Sequence, residues 1–378
     1  MKKTLAAVAV LGAFAGSALA ADVQIYGIVD TGVGYTHTDA DGLLDNGVDQ
    51  SKDSFSMKSG QGSGSRFGFK GTEDLGNGLT VGFILEDGIT SDDGAESGVM
   101  FNRESSLFVE GGFGKFAMGR IGSINNGQSS WAKVGMISAF GTSDWGGYSA
   151  NLGNIMSTAG QWDNMIAYQT PDFAGFKVYA QYGMGDNGDE NESSSDRYYA
   201  LGATYNNGPL AGYFAIDSIN YESVVDKDVD DSLTVTLGGS YDFEVVKVYL
   251  GGQYFDEVKG SSLKGVTADF AEWEGTDKVK GYALTLSADA PVAGGKAMFG
   301  VGYFDAEQAD SVKDNLGEKY DFSRFVVSVG YDYPFSKRTD IYAVASYMQD
   351  SIEDKTDAKE FDSDPSAYAV YVGLRHRF

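Results

Sequence analysis

Arg66 and Lys70 stand four residues apart in Ser63-Gly64-Ser65-Arg66-Phe67-Gly68-Phe69-Lys70-Gly71. In an extended chain that spacing puts both cations on one face and Phe67 and Phe69 on the other. Such a face does electrostatic work: it attracts, orients or steers charged solutes. Other chemistries lack parts. The chain has no cysteine and only 2 histidines, His37 and His376. Thiol nucleophiles and thiolate metal sites are therefore excluded, and a histidine-based hydrolytic triad has little to draw on. The glycine-rich block Gly62 to Gly71 runs into a strand pattern rather than a helix N-terminus, so it does not make a phosphate cradle. Asp226, Asp228, Asp230 and Asp231 crowd one segment and invite a Ca²⁺ reading. The glycine turn and terminal glutamate of an EF-hand are missing, so a solvated acidic loop is expected, with loose divalent binding as the alternative. No cofactor is expected.

The elements that would position these residues follow from the patterning. Lys2 and Lys3, the apolar run Leu5 to Ala15 and Ser17-Ala18-Leu19-Ala20 predict a cleaved export signal over residues 1–20, with a single domain over 21–378. No segment reaches the roughly 20 apolar residues of a spanning helix. The net charge of −26 becomes −28 once the two leader lysines are gone, which argues against nucleic acid as a partner. Apolar and polar residues alternate with period two in segment after segment: Leu233, Val235, Leu237 and Tyr241 against Thr234, Thr236, Gly238 and Ser240, and likewise around Val246–Tyr254 and Phe176–Tyr182.

Connection lengths also alternate. Tight turns occur at Gly76-Asn77-Gly78, Gly111-Gly112-Phe113-Gly114, Asp172-Phe173-Ala174-Gly175, Asn206-Asn207-Gly208-Pro209, Ala293-Gly294-Gly295 and Ser336-Lys337-Arg338. Between them lie long, acidic segments near 37–60, 90–98, 122–160, 186–196, 221–231, 258–277, 306–319 and 350–364. Eight long loops alternating with short turns predict an all-β, closed antiparallel transmembrane barrel of about sixteen strands. In hydrocarbon an open sheet edge leaves backbone groups unpaired, so the sheet must close. At about sixteen strands side chains cannot fill the lumen, which then holds water.

Several segments resemble the Gram-negative general porins of the beta-proteobacterial and neisserial type. They are Val23-Gln24-Ile25-Tyr26-Gly27-Ile28-Val29-Asp30, the block from Ser63 to Gly78, Phe101-Asn102-Arg103, Gly119-Arg120, Asn164-Met165-Ile166-Ala167-Tyr168 and the ending Gly373-Leu374-Arg375-His376-Arg377-Phe378. The resemblance implies a homotrimer in the outer membrane, in contact with its lipid and lipopolysaccharide, passing ions and small hydrophilic solutes. It implies that the third long loop, residues 122–160, folds into the lumen, carrying Trp131, Phe140, Asp144 and Trp145. It implies a basic wall of Arg66, Lys70, Arg103 and Arg120 facing Asp144 and Asp163. Phe378 is similar to the signal read by the barrel-assembly machinery. One departure stands out: Gln161 occupies a position where relatives often carry arginine, which puts the family's anion preference in doubt and predicts weak selectivity. Two other functions compete. A substrate-selective channel, for sugars for instance, would need a lumenal aromatic ladder, for which Tyr26, Tyr179, Tyr198 and Tyr249 are candidates. A structural or adhesive barrel would need a plugged lumen, whereas the lumen-side positions are often Gly, Ser, Thr or Ala.

Overall fold

A computed structural model describes residues 23–40, 51–185, 196–221, 230–259, 265–266, 278–311, 320–354 and 361–378. The predicted export signal and both Asp226 and Asp228 lie outside the described residues. The strands are β1 (Gln24–Asp39), β2 (Ser51–Ser59), β3 (Arg66–Gly76), β4 (Leu79–Gly88), β5 (Glu104–Gly111), β6 (Gly114–Gly122), β7 (Gln161–Gln169), β8 (Phe176–Gly183) and β9 (Arg197–Asn207). They continue with β10 (Leu210–Asn220), β11 (Leu233–Asp242), β12 (Lys247–Lys259), β13 (Lys278–Val292), β14 (Gly295–Gln308), β15 (Tyr320–Pro334), β16 (Thr339–Asp354), β17 (Phe361–Ser363) and β18 (Ser366–Arg377). β2 pairs with the far half of β1 and β3 with its near half, so the two are one stave broken at residues 60–65. β17 and β18 both pair with β16 and form another. The 18 segments thus make a barrel of 16 antiparallel strands. It closes where β1 meets β18, in register from Ile28↔Arg377 to Asp39↔Ser366.

Each strand shows why it formed. In β13, Tyr282, Leu284 and Leu286 are exposed on one face, while Ala283, Thr285 and Ser287 are buried on the other. The exposed face is a belt of large apolar side chains, as lipid requires, and the opposite face is small and polar. Aromatic rings crowd the short-turn rim of the belt, with Phe113, Phe173, Phe176, Phe243, Phe335 and Phe378 all exposed.

Two boundaries differ from the sequence reading. The hairpin of β1 and β2 runs on through His37↔Asp53 to Asp39↔Ser51, so His37 and Asp53 belong to strands rather than to the first loop. Both faces are polar there, which hides the alternation. A seventh short turn, between Asp242 and Lys247, contains no glycine; Glu244 takes the left-handed conformation at φ 71° instead.

Phe378 fastens the seam. Its backbone exchanges hydrogen bonds with Gly27 at 3.1 and 3.2 Å, and its ring lies where a Cβ on Gly27 would sit. With the ring about half exposed, Phe378→Ala should cost about 1–2 kcal/mol of apolar burial. Refolding followed by heat-modifiable gel mobility is expected to show slower closure and a lower melting temperature; unchanged kinetics would remove Phe378 from the closing step.

The connection between β6 and β7, residues 123–160, is the long described loop. It contains a 3₁₀ turn, Val134–Ile137, and one helical turn, α1 (Leu152–Ile155), capped by the Asn151 side chain. Its apolar residues sit on glycines of the small-residue face. Ile137 covers Gly238 and Gly251, Phe140 covers Gly300, and Ile155 covers Gly302, where an added Cβ would come within 2.2 Å. Strand side chains bind its backbone: Ala139 N–H donates to Ser287 Oγ at 2.9 Å, Ala150 N–H to Ser328 Oγ at 2.8 Å, and Ser157 N–H to Gln253 Oε1 at 2.7 Å. Arg324 pairs with Asp350 through two contacts, 2.6 and 3.0 Å, and donates a third bond to Asn154 O at 2.9 Å. These backbone donors thereby find acceptors on the wall, as burial demands.

Candidate functional site

β1, β3, β4 and β5 lie side by side, and their small-residue faces carry Tyr26, Arg66, Glu86 and Glu104. Arg103, just before β5, donates from Nε to Glu86 Oε1 at 2.7 Å. Arg66 Nε lies 3.5 Å from the other oxygen of the same carboxylate, which also accepts from Tyr26 OH at 3.0 Å. One acid therefore serves two guanidinium groups. The register makes this possible: Gly68 stands opposite Glu86 and leaves room for the Tyr26 ring.

The third loop meets this cluster. Arg103 Nη1 donates to Gln128 Oε1 at 3.0 Å, and Gln161 Nε2 donates to the same oxygen at 3.1 Å. Glu104 pins the loop by accepting from Ser130 N–H at 2.8 Å, Ser130 Oγ at 2.9 Å and Ser129 Oγ at 3.2 Å, besides Ser106 Oγ at 2.8 Å. Lys70 shares the face of Arg66 and is exposed, its Nζ 5.0 Å from the Tyr26 ring centre.

Arg120 stands apart from Arg66 and Arg103. It occupies a bulge in the β6–β7 ladder, opposite Ser105, and spends its guanidinium on Asn102 O at 2.7 Å and Asp163 Oδ1 at 2.6 Å. Asp163 is thus the direct partner of Arg120, with no contact to the Arg66 cluster among the described residues. Trp131, Phe140 and Trp145 are buried, and Trp145 Nε1 donates to Phe140 O at 2.7 Å. Asp144 is exposed at the loop surface, with its carbonyl accepting from Ser149 Oγ.

Apart from the half-buried Tyr26, the aromatic-ladder positions do not line an open surface. Tyr198 stacks on Trp162 with ring centres 5.2 Å apart and is fully buried, and Tyr179 and Tyr249 are at most 9% exposed. The two histidines lie apart: His37 Nδ1 is 2.8 Å from Asp53, and His376 Nδ1 is 2.8 Å from Thr339 Oγ1. Asp231 accepts from Asn220 Nδ2 at 2.7 Å, and Asp230 accepts from Lys278 through its carbonyl. Among the described residues, no group of three or more potential ligands is arranged around a metal position.

Sequence reasoning missed Glu86 and Glu104. The signal was present, since Glu86 follows Phe83-Ile84-Leu85 in a spanning strand, where an unpaired carboxylate is too costly to stand alone.

Comparison with known proteins agrees with this geometry. A family model described as Gram-negative porin matches residues 6–353. An outer membrane porin protein of Bordetella pertussis is 33% identical, and outer membrane porin protein 32 of Delftia acidovorans is 30% identical, each over 100% of both chains. Among solved structures, an anion-selective porin from Comamonas acidovorans superposes with a TM-score of 0.65 at 26% identity, covering 95% of this chain and 100% of its own. With family and barrel in agreement over nearly the whole sequence, the chain belongs to the Gram-negative porin family and is a general diffusion porin of the outer membrane.

Proposed function

We infer that solutes cross a water-filled lumen narrowed by the loop of residues 123–160, with Arg66, Arg103 and Glu86 lining one side of the narrowest part. The observation that carries this reading is the set of contacts joining the loop to the small-residue face from β8 round to β16. That face is the one turned away from the apolar belt. Ions and small hydrophilic solutes are the cargo, and no catalytic step belongs to the protein. A homotrimer is the expected assembly, supported by the solved trimer form of OmpT from Vibrio cholerae, which shares the fold.

Charge sets the expected selectivity. Arg66 and Arg103 both pair with Glu86, Glu104 lies beside Glu86 on the neighbouring strand, and Gln161 adds no charge. Opposite charges in near balance on this one wall discriminate only weakly between cations and anions. Recording single channels of the refolded full chain in a planar bilayer tests the reading. Closures in steps of three, with conductance proportional to bulk KCl, are expected. A membrane that stays silent although the barrel is folded would overturn it in favour of a plugged barrel.

A further inference from the structure

The guanidinium groups of Arg66, Arg103, Arg324 and Arg375 on the small-residue face all meet carboxylates. Three lysines near the opposite rim do not. Lys115 lies one residue inside the short turn that opens β6, and Lys177 one residue inside the turn that opens β8. Both share the face that the loop covers: Lys115 stands opposite Gln169, and Lys177 opposite the buried Thr204. The loop brings Lys133 between them. Its Nζ donates to Ser130 O at 2.7 Å and lies 5.7 Å from the Tyr179 ring centre. Lys115 is clamped between two rings, 3.9 Å from the centre of Phe108 and 5.5 Å from that of Trp131. Neither Lys115 nor Lys177 makes a hydrogen bond or ion pair among the described residues. The buried indole N–H of Trp131 is also unmatched.

We propose that Lys115, Lys133 and Lys177 form a binding subsite for small divalent oxyanions on the short-turn side of the constriction. The inference rests on the diffusion-pore reading and deepens it. Three ammonium groups carry nine donors between them, and one of those donors is seen engaged, on Ser130 O. Two rings hold Lys115 by cation–π contact, so little conformational freedom remains to be lost when an anion arrives. The acids facing the cluster are few. Glu104 is committed to its four bonds with Ser106, Ser129 and Ser130, Glu110 is the exposed cross-strand neighbour of Lys115, and Asp172 lies in the turn before β8.

The electrostatics of Lys133 agree with this geometry. Removal from water, followed by repulsion from Lys115, pulls its pKa down to about 8, with Glu104 opposing and Lys177 adding. A dianion seated among the three would reverse the repulsion. Without a bound anion the subsite is fully charged below pH 7 and loses the Lys133 charge as pH rises through about 8.

Sulfate keeps two negative charges over this whole range, so it serves as the probe. Potassium sulfate is added to either side of a bilayer holding the full-length refolded chain, and the reduction of KCl current is read at pH 6.5 and 9.5. Block should be stronger from one side, weaken at pH 9.5, and fall about fivefold for each of Lys115→Gln, Lys133→Gln and Lys177→Gln. Lys133→Gln should also weaken the pH dependence. Lys247→Gln is the control, since that lysine lies over Tyr249 at 5.1 Å with Asp242 and Asp289 as cross-strand neighbours, and it should leave block unchanged. Heat-modifiable mobility establishes that each variant has folded. Sulfate block that survives the triple substitution, or that responds to Arg103→Gln instead, would overturn the subsite while leaving the open channel intact. A chain that folds yet carries no current would overturn the channel reading and the subsite together.

Discussion

Replacing Glu86 by glutamine is expected to raise the permeability ratio of chloride to potassium on the order of tenfold, since one charge about 5 Å from the path of an ion is worth nearly 1 kcal/mol in water and acts with opposite sign on the two ions. The substitution keeps an oxygen for Arg103 Nε, now 2.7 Å from the carboxylate, so the wall need not rearrange. Arg66 and Arg103 would then face the ion path with Glu104 alone opposing them. The reversal potential in a KCl gradient reads the change. It should be largest near 0.1 M salt, where the screening length is about 10 Å, and should shrink toward 1 M, where it is about 3 Å. Combining Glu86→Gln with Arg103→Gln should bring selectivity back toward that of the parent. A reversal potential indifferent to Glu86→Gln at low salt would place the ion path away from this wall.

Asp350→Ala is expected to cost about 3–5 kcal/mol, because it strands a buried guanidinium with no other counter-charge among the described residues. Arg324 and Asp350 are each less than 5% exposed and face one another squarely. The same change loosens the loop, since Arg324 reaches Asn154 O from Nη1 and stacks 4.9 Å over the Phe304 ring. Two readouts should therefore move together: a lower melting temperature by circular dichroism, and noisier open-channel current as α1 comes off its anchor. The double change Arg324→Met with Asp350→Leu removes both charges and should recover most of the stability but not the quiet current. If Asp350→Ala melts with the parent, water must reach Arg324 and the pair is no anchor.

The sequence made the barrel legible because lipid and water impose opposite demands on alternate residues, and because long and short connections segregate. It hid whatever breaks alternation. Asp39 and Asp53 read as loop, since above the lipid both faces of a strand turn polar. The turn at Glu244 went unseen because a non-glycine residue supplies the left-handed backbone. In the candidate site, Arg66 and Lys70 were placed on one face by counting residues, and the register puts them there. Counting fails across a bulge, which is why Arg120 and Asp163 read as opposite walls although they bond to each other. Glu86 and Glu104 were missed for a different reason. Cross-strand neighbours are set by register, and no single strand reveals which carboxylate will face which arginine.

The glycines beneath the loop also bear on descent. Ile137, Phe140 and Ile155 each require a missing side chain on a strand far away in sequence: at Gly238 and Gly251, at Gly300, and at Gly302. Loop and floor are therefore one inherited unit. A chimera that receives this loop from a relative without the matching bare positions would have nowhere to seat it. Divergence among such channels should proceed by paired changes, loop residue with floor residue, rather than by free exchange of the loop.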